Sequence, residues 1–279
     1  MVLLYIPPVQ NLLRREVTAY ASKATGMQIQ VERIDLRFPL NLLVRGVEVI
    51  QQPDTLLSLE SLNVRIQAWP LLKGKVEVDE VTLSQVAVNS ANLIDGMQIK
   101  GVLGRFFLQS HGVDLSNETA VVNRTELSDT HIQLLMTDTT TTPKDTTASA
   151  PVNWKVNLHQ LKLKNVSFGM KLPADSMKMA AYIGEATIDD AKADLKNQFY
   201  GLKQFLLSGA SASYDTGEAQ PSEGFDASHM AVRNIRIGLD SLLYEGRNMN
   251  AVIREITMEE RSGLSITSLT GRLFSNDSI

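Results

Sequence analysis

Apolar residues in this chain recur at offsets 0, 2, 5 and 7, and the phrase restarts along most of its length. It runs through Leu57, Leu59, Leu62 and Val64, then through Val76, Val78, Val81 and Leu83 with Val86 and Val88 continuing it. Further copies are Val156, Leu158, Leu161 and Leu163, extended by Val166 and Phe168; Ala181, Ile183, Ala186 and Ile188; Tyr200, Leu202, Phe205, Leu207, Ala210 and Ala212; and Met230, Val232, Ile235 and Ile237. A partial copy at Ile29, Val31, Ile34 and Leu36 opens the series. This is a degenerate internal repeat. A half-buried strand alternates every two residues, so the step of three between offsets 2 and 5 would turn the chain over. A β-bulge at each such step restores the face, bends the strand and adds twist, as a deeply curved sheet requires. The spacing therefore predicts a mainly β protein, a long and strongly curved, taco-like antiparallel sheet with the phrase residues on its inner face. The steps of two and three also suit a pentapeptide β-helix or solenoid. The phrase, however, restarts at Leu57 and Val76, and at Ala181 and Tyr200, intervals that break a five-residue phase.

Ahead of the repeat, VQNLLRREVTAYASKAT places Val9, Leu12, Leu13, Val17, Tyr20 and Ala24 near one helical face. Pro8 suits the first turn and Gly26 the position past the end. The predicted amphipathic helix either covers the end of the sheet or lies on a membrane surface. The division that follows is residues 1–26 for the anchor-proximal segment and capping helix, 27–136 for the first part of the groove, 137–151 for a loop, and 152–279 for its continuation. Thr137 to Pro151 contains seven threonines and no apolar residue larger than alanine, which predicts a flexible loop. Residues 189–207 fit either a helix or a pair of strands; they are read as strands because the repeat runs on through Tyr200 to Ala212.

Composition matters mainly for what it excludes. A net charge of −4 with dispersed Lys and Arg argues against nucleic acid as a partner. Cysteine is absent, which rules out disulfides, thiolate metal sites and cysteine nucleophiles. His111, His131, His159 and His229 occupy unrelated contexts, and no nucleotide-binding, nucleophile-elbow or metalloprotease motif occurs. The chain is thus expected to be no enzyme, with no cofactor and no metal.

Against that background, IPPVQ at Ile6–Gln10, VERIDLRF at Val31–Phe38, VRGVEVIQ and the phrase from Leu59 to Ile66 resemble the start of the AsmA-like superfamily, in its TamB translocation-and-assembly family. The resemblance covers Leu3 to about Leu103, with KGKVEVDEVTLSQVAV repeating the family's strand pattern. It implies a periplasmic protein held in the bacterial inner membrane by an N-terminal helix, akin in architecture to chorein-type bridge-like lipid-transfer proteins. On that reading VLLYI is the tail of an anchor and the chain is an N-terminal fragment. The implied function is a conduit for phospholipid between membranes that supports outer-membrane biogenesis; the alternative is a scaffold engaging an outer-membrane assembly partner through a sheet edge. The candidate lining for phospholipid acyl chains is Val31, Ile34, Leu36, Leu62, Val64, Val76, Val78, Val81, Leu83, Val156, Leu158, Leu161, Leu163, Leu202, Phe205, Leu207, Val232, Ile235 and Ile237.

Overall fold

The computed structural model describes residues 7–276 except 52, 68, 70–76, 92, 115–116, 137–152 and 218–219. The expectations for VLLYI, for Val76 and for the loop 137–151 lie outside the described residues. One helix, α1 (Pro7–Thr25), is followed by β1 (Gln28–Arg37), β2 (Asn41–Gln51), β3 (Asp54–Ile66), β4 (Val78–Asn89), β5 (Met97–Asp114) and β6 (Thr119–Met136). Then come β7 (Lys155–Leu172), β8 (Met177–Asp194), β9 (Phe199–Leu202), β10 (Gln204–Asp215), β11 (His229–Glu245), β12 (Asn248–Glu260) and β13 (Ser265–Ser275). Residues 189–207 form the end of β8, a turn, β9 and the start of β10.

All these strands belong to one sheet, in which sequence neighbours pair from β1 to β9 and from β10 to β13. β9 and β10 act as one strand interrupted at Lys203, since both lie between β8 and β11. The pairing is antiparallel except for β6 and β7, which run parallel from Thr119↔Lys155 to Leu135↔Lys171. A parallel neighbour needs the chain to return to the far end of the preceding strand, and residues 137–154 are the only stretch that connects them. The Thr-rich segment therefore serves a topological crossover, and the sheet is continuous on either side of it.

The helix lies along the outer edge of β1. Gln10 Nε2 donates to the Leu36 carbonyl at 2.9 Å, Arg14 Nη1 donates to the Glu32 carbonyl at 2.6 Å, and the Ile29 amide donates to Ser22 Oγ at 3.1 Å. Polar side chains thus satisfy backbone groups that an uncovered edge strand would offer to another chain. Leu12 and Tyr20, two members of the expected apolar stripe, remain exposed.

The core is sparse. Among the described residues the buried hydrophobic ones are Ile34, Leu56, Ala120, Val122, Ala186, Ala210 and Ala251, and no large side chain is fully enclosed. The accessible surface is 18176 Å², where a compact protein of 30.8 kDa exposes roughly 12,000 Å². No second sheet packs on the first among the described residues.

Candidate functional site

Cross-strand register assembles the repeat copies into rows that run across the sheet. The longest takes one apolar residue from each of twelve strands: Ile34, Val44, Leu62, Leu83, Phe106, Leu127, Leu163, Ala186, Leu207, Ile237, Ile256 and Leu269. Residues directly opposite share a face, so this is one uninterrupted apolar line. A second row runs from Leu36 through Leu42, Val64, Val81, Leu108, Leu161, Ile188, Phe205, Leu239 and Ile253, broken only by Thr125 and ending at Gly271. On the other side of the first, Val31, Val47, Leu59, Val86 and Leu103 lead to Thr130, Val166 and Ile183. Outermost come Ile29, Val49, Leu57, Val88, Gly101, Ile132, Phe168, Ala181, Ala212 and Val232. The row that alternates with the first two, on the opposite face, is mixed: Asp35, Leu43, Asn63, Thr82, Phe107, Glu126, Lys162, Thr187, Leu206, Gly238 and Glu255, with three large apolar side chains among polar and charged ones.

The alignment follows from the shape of the phrase. A spacing of two, three, two reads the same in both directions, so antiparallel copies superpose with their steps of three opposite one another. Those steps differ from the bulges that the spacing predicts. Across the steps that separate the first and third rows the register is unchanged from β1 to β8: Leu83 faces Phe106 and Val86 faces Leu103, with Gln85 and Gly104 skipped together. Both strands turn over at once, so neither needs an extra residue. True register shifts occur at other steps: at Leu207/Ala210 and Arg233/Arg236 in β10, β11 and β12, at Ile253/Ile256 between β12 and β13, and at Gln109/Ser110 between β5 and β6, opposite the step from Val122 to Thr125.

Left-handed backbone makes the turn. Gly46, Gln85, Asp129, Asn165, Gly209 and Asn234 have φ of 58, 49, 51, 54, 60 and 54°, one in each step of β2, β4, β6, β7, β10 and β11. Gly, Asn and Asp tolerate this conformation best, and their presence inside the steps of three is the sequence signal that hydropathy alone overlooks. The facing strands come close: a Cβ on Gly104 would lie 2.9 Å from the Asp129 carbonyl, and one on Gly184 2.9 Å from that of Gly209. Side chains tie the crease, with Asn165 Nδ2 donating to Asp129 Oδ1 at 2.7 Å. A parallel crease passes through His159 and Asp190, whose Nδ1 and Oδ1 are 3.0 Å apart, while Lys203 Nζ donates to the other Asp190 oxygen at 2.8 Å. The Lys203 ammonium, and then His159, hold the Asp190 carboxyl below the usual carboxylate range.

Fourteen of the candidate lining residues fall on these rows or their extension. Ile34, Leu62, Leu83, Leu163, Leu207 and Ile237 lie on the first row, and Leu36, Val64, Val81, Leu161 and Phe205 on the second. Val31 lies on the third row, Ile235 stands opposite Ala210 on β10 and β11, beyond the end of that row, and Val232 lies on the fourth. Val156, Leu158 and Leu202 gather with Tyr200 and Leu242 around a cavity of about 220 Å³ at the other end of the strands. Val78 sits opposite Ile66 at the start of β4, away from both. A concavity of about 990 Å³ runs from β5 to β11 with Arg261 just past β12; it takes only Val232 from the candidates, together with Phe168, Met170, Met179, Tyr182 and a set of basic side chains.

Comparison with protein-family models and with curated proteins returns no match. Among the described residues no cluster of His, Asp and Glu is arranged to hold a metal ion, and no helix is long and apolar enough to cross a membrane.

Proposed function

We propose that the apolar rows are a surface for lipid acyl chains, and that the sheet curls around them as a groove carrying phospholipid between membranes. The observation that supports this reading most is the first row, apolar in every one of twelve strands on a sheet that no second layer covers among the described residues. Each methylene moved from water onto such a surface gains about 0.8 kcal/mol, and the process needs no catalytic group. The resemblance of Leu3 to about Leu103 to the TamB family of the AsmA-like superfamily supports the same reading. With it come inner-membrane anchoring, a periplasmic location and a part in outer-membrane biogenesis.

Mass spectrometry of the purified chain under native conditions tests the reading. Phospholipid bound in stoichiometric amount is expected, and Leu83→Asp combined with Leu163→Asp should reduce it severalfold while the β-sheet circular dichroism persists. A chain that carries no lipid after exposure to membranes contradicts it.

One observation favours a second reading, a scaffold that docks a strand of an outer-membrane assembly partner. Among the described residues β13 pairs with β12 alone, and its Leu273 and Phe274 are 47% and 67% exposed. An unpaired edge of this kind accepts an added strand. Partner capture that survives the double Asp variant and is lost when proline replaces Thr270 would favour it.

A further inference from the structure

The concavity of about 990 Å³ lies mainly on the face of the sheet turned away from the apolar rows. One row across it is Lys100, Gln133, Gly169, Ala180, Ser213 and Ala231, which alternates with Phe168, Ala181, Ala212 and Val232 of the outermost apolar row. Two further rows stand two residues to either side of it: Leu135, Lys171 and Lys178, and His131, Ser167, Tyr182 and Ser211. All three therefore share the face opposite the apolar row.

The charges around this space have one sign. Lys100, Lys171, Lys178, Arg233 and Arg261 border it and no Asp or Glu does, in a chain whose net charge is −4. Arg233 pairs with Glu259 at 3.1 Å, and Asp215 stands opposite Lys178 on β10. Lys100, Lys171 and Arg261 make no ion pair within 4.0 Å among the described residues. Lys171 and Lys178 face each other directly on β7 and β8, an arrangement that disfavours pairing of the strands and favours an anion between them. Next along the same two strands come Gly169 opposite Ala180, a floor without bulk, and then Ser167 opposite Tyr182. Gln133 Nε2 donates to His131 Nε2 at 2.9 Å, so the ring proton sits on Nδ1, which donates to Ser167 Oγ at 2.5 Å. Ser167 keeps its own O–H to donate to a ligand. Tyr182, 40% exposed, offers a ring face and a phenol beside it.

We propose that this concavity binds a hexose phosphate, with the phosphate between Lys171 and Lys178, Lys100 and Arg261 at its flanks, and the sugar over Gly169 and Ala180 with its far edge on Ser167 and Tyr182. The phosphate meets cations and no carboxylate. A sugar ring, apolar on its faces and rimmed by hydroxyls, suits an aromatic side chain with Ser and Gln around it. From the lysine pair to the Ser167–Tyr182 pair the strands advance four residues, about 13 Å at ~3.3 Å per residue, which a lysine side chain and a hexose phosphate together can fill. The inference is independent of the acyl-chain reading, because the two ligands occupy opposite faces.

Isothermal titration calorimetry of the purified chain with the phosphates of glucose, galactose and mannose, with the free sugars and with inorganic phosphate tests the proposal. At least one hexose phosphate should bind with one molecule per chain, roughly tenfold or more tighter than its free sugar or inorganic phosphate, since each of these lacks half of the contacts. Lys171→Gln combined with Lys178→Gln should weaken that binding about tenfold or more. The double variant also relieves a like-charge pair, so its thermal midpoint should not fall. Tyr182→Ala should weaken the hexose phosphate and leave inorganic phosphate unchanged. Absence of binding overturns the proposal, as does equal affinity for inorganic phosphate with no effect of Tyr182→Ala. Vesicles of phosphatidylglycerol supply the last arm: capture of the chain by vesicles that is lost in the lysine variant, without binding of any hexose phosphate, assigns the cations to a membrane surface and overturns the sugar.

Discussion

Asn165 concentrates the residue-scale physics of this sheet. Its φ of 54° turns the strand over between Leu163 and Val166, and its amide donates to Asp129, which adopts φ 51° in the facing strand. Asn165→Ala keeps the Cβ while removing the bond and the local support for that conformation, and should cost roughly 1–2 kcal/mol. Asn165→Gly should recover much of the loss, and the contrast is measured by urea denaturation. Gly184→Ala tests the opposite strand: its Cβ would meet backbone atoms of Ser208 and Gly209 at 3.1 and 2.9 Å, so a loss of about 1–3 kcal/mol is expected. Glu260 governs a pH dependence. Hydrogen bonds from Ser262, and then from the Ala231 and Arg261 amides, lower its carboxyl to about 2 from the ordinary glutamate value of 4.5. A carboxyl depressed in the folded state contributes stability above its unfolded pKa and loses that contribution as pH falls from 4.5 towards 2. The wild-type midpoint should therefore drop more steeply over this range than that of Glu260→Gln, as thermal unfolding at a series of pH values would reveal.

At the scale of elements, what can be read directly is what alternates. The copies beginning at Lys75 and Lys155 share their apolar positions, and the structure sets Val81 with Leu161, Leu83 with Leu163, Val86 with Val166 and Val88 with Phe168 on common rows with two strands between them. Hydropathy marks these positions because each alternates with polar neighbours. It carries no information on φ, so a bulge and a paired left-handed turn look alike in it; the Gly, Asn and Asp residues within the steps were the available clue. The parallel joint was equally hidden, because Thr137–Pro151 has no apolar pattern from which pairing follows. Topology now assigns that segment a required length. Met136 and Lys155 lie at opposite ends of paired strands about 56 Å long at ~3.3 Å per residue, and residues 137–154 join them. Deleting Thr137–Pro151 leaves too little chain to reach. The expected result is loss of protection of the β6 and β7 amides in hydrogen exchange, whereas replacing the segment with Gly and Ser at equal length should preserve it. Helix α1 teaches a related lesson: its periodicity locates a helix, while its seat on β1 depends on Gln10, Arg14 and Ser22, residues whose roles appear only when the edge backbone is seen beside them.

For the molecule as a whole, the account turns on one layer of sheet whose two faces differ in chemistry. One apolar row crosses twelve strands and three less complete ones run beside it, while the row that alternates with the first two mixes Thr, Asn, Lys and Glu with Leu43, Phe107 and Leu206. A large apolar surface left uncovered calls for an occupant, and the proposed one is a lipid chain that travels from row to row. Charge at Leu83 or Leu163 should then interrupt transfer along the sheet while leaving its folding largely intact, since neither residue belongs to the small buried core.

The most direct measurement is site-specific photo-crosslinking in membranes containing radiolabelled phospholipid. Probes at Leu83, Leu163 and Leu207 sample the first apolar row, and probes at Thr82, Lys162 and Leu206 sample the adjacent positions on the opposite face. The account predicts labelled adducts at the first three positions and little or none at the others. Equal labelling of both sets, or none on the apolar row, would contradict it.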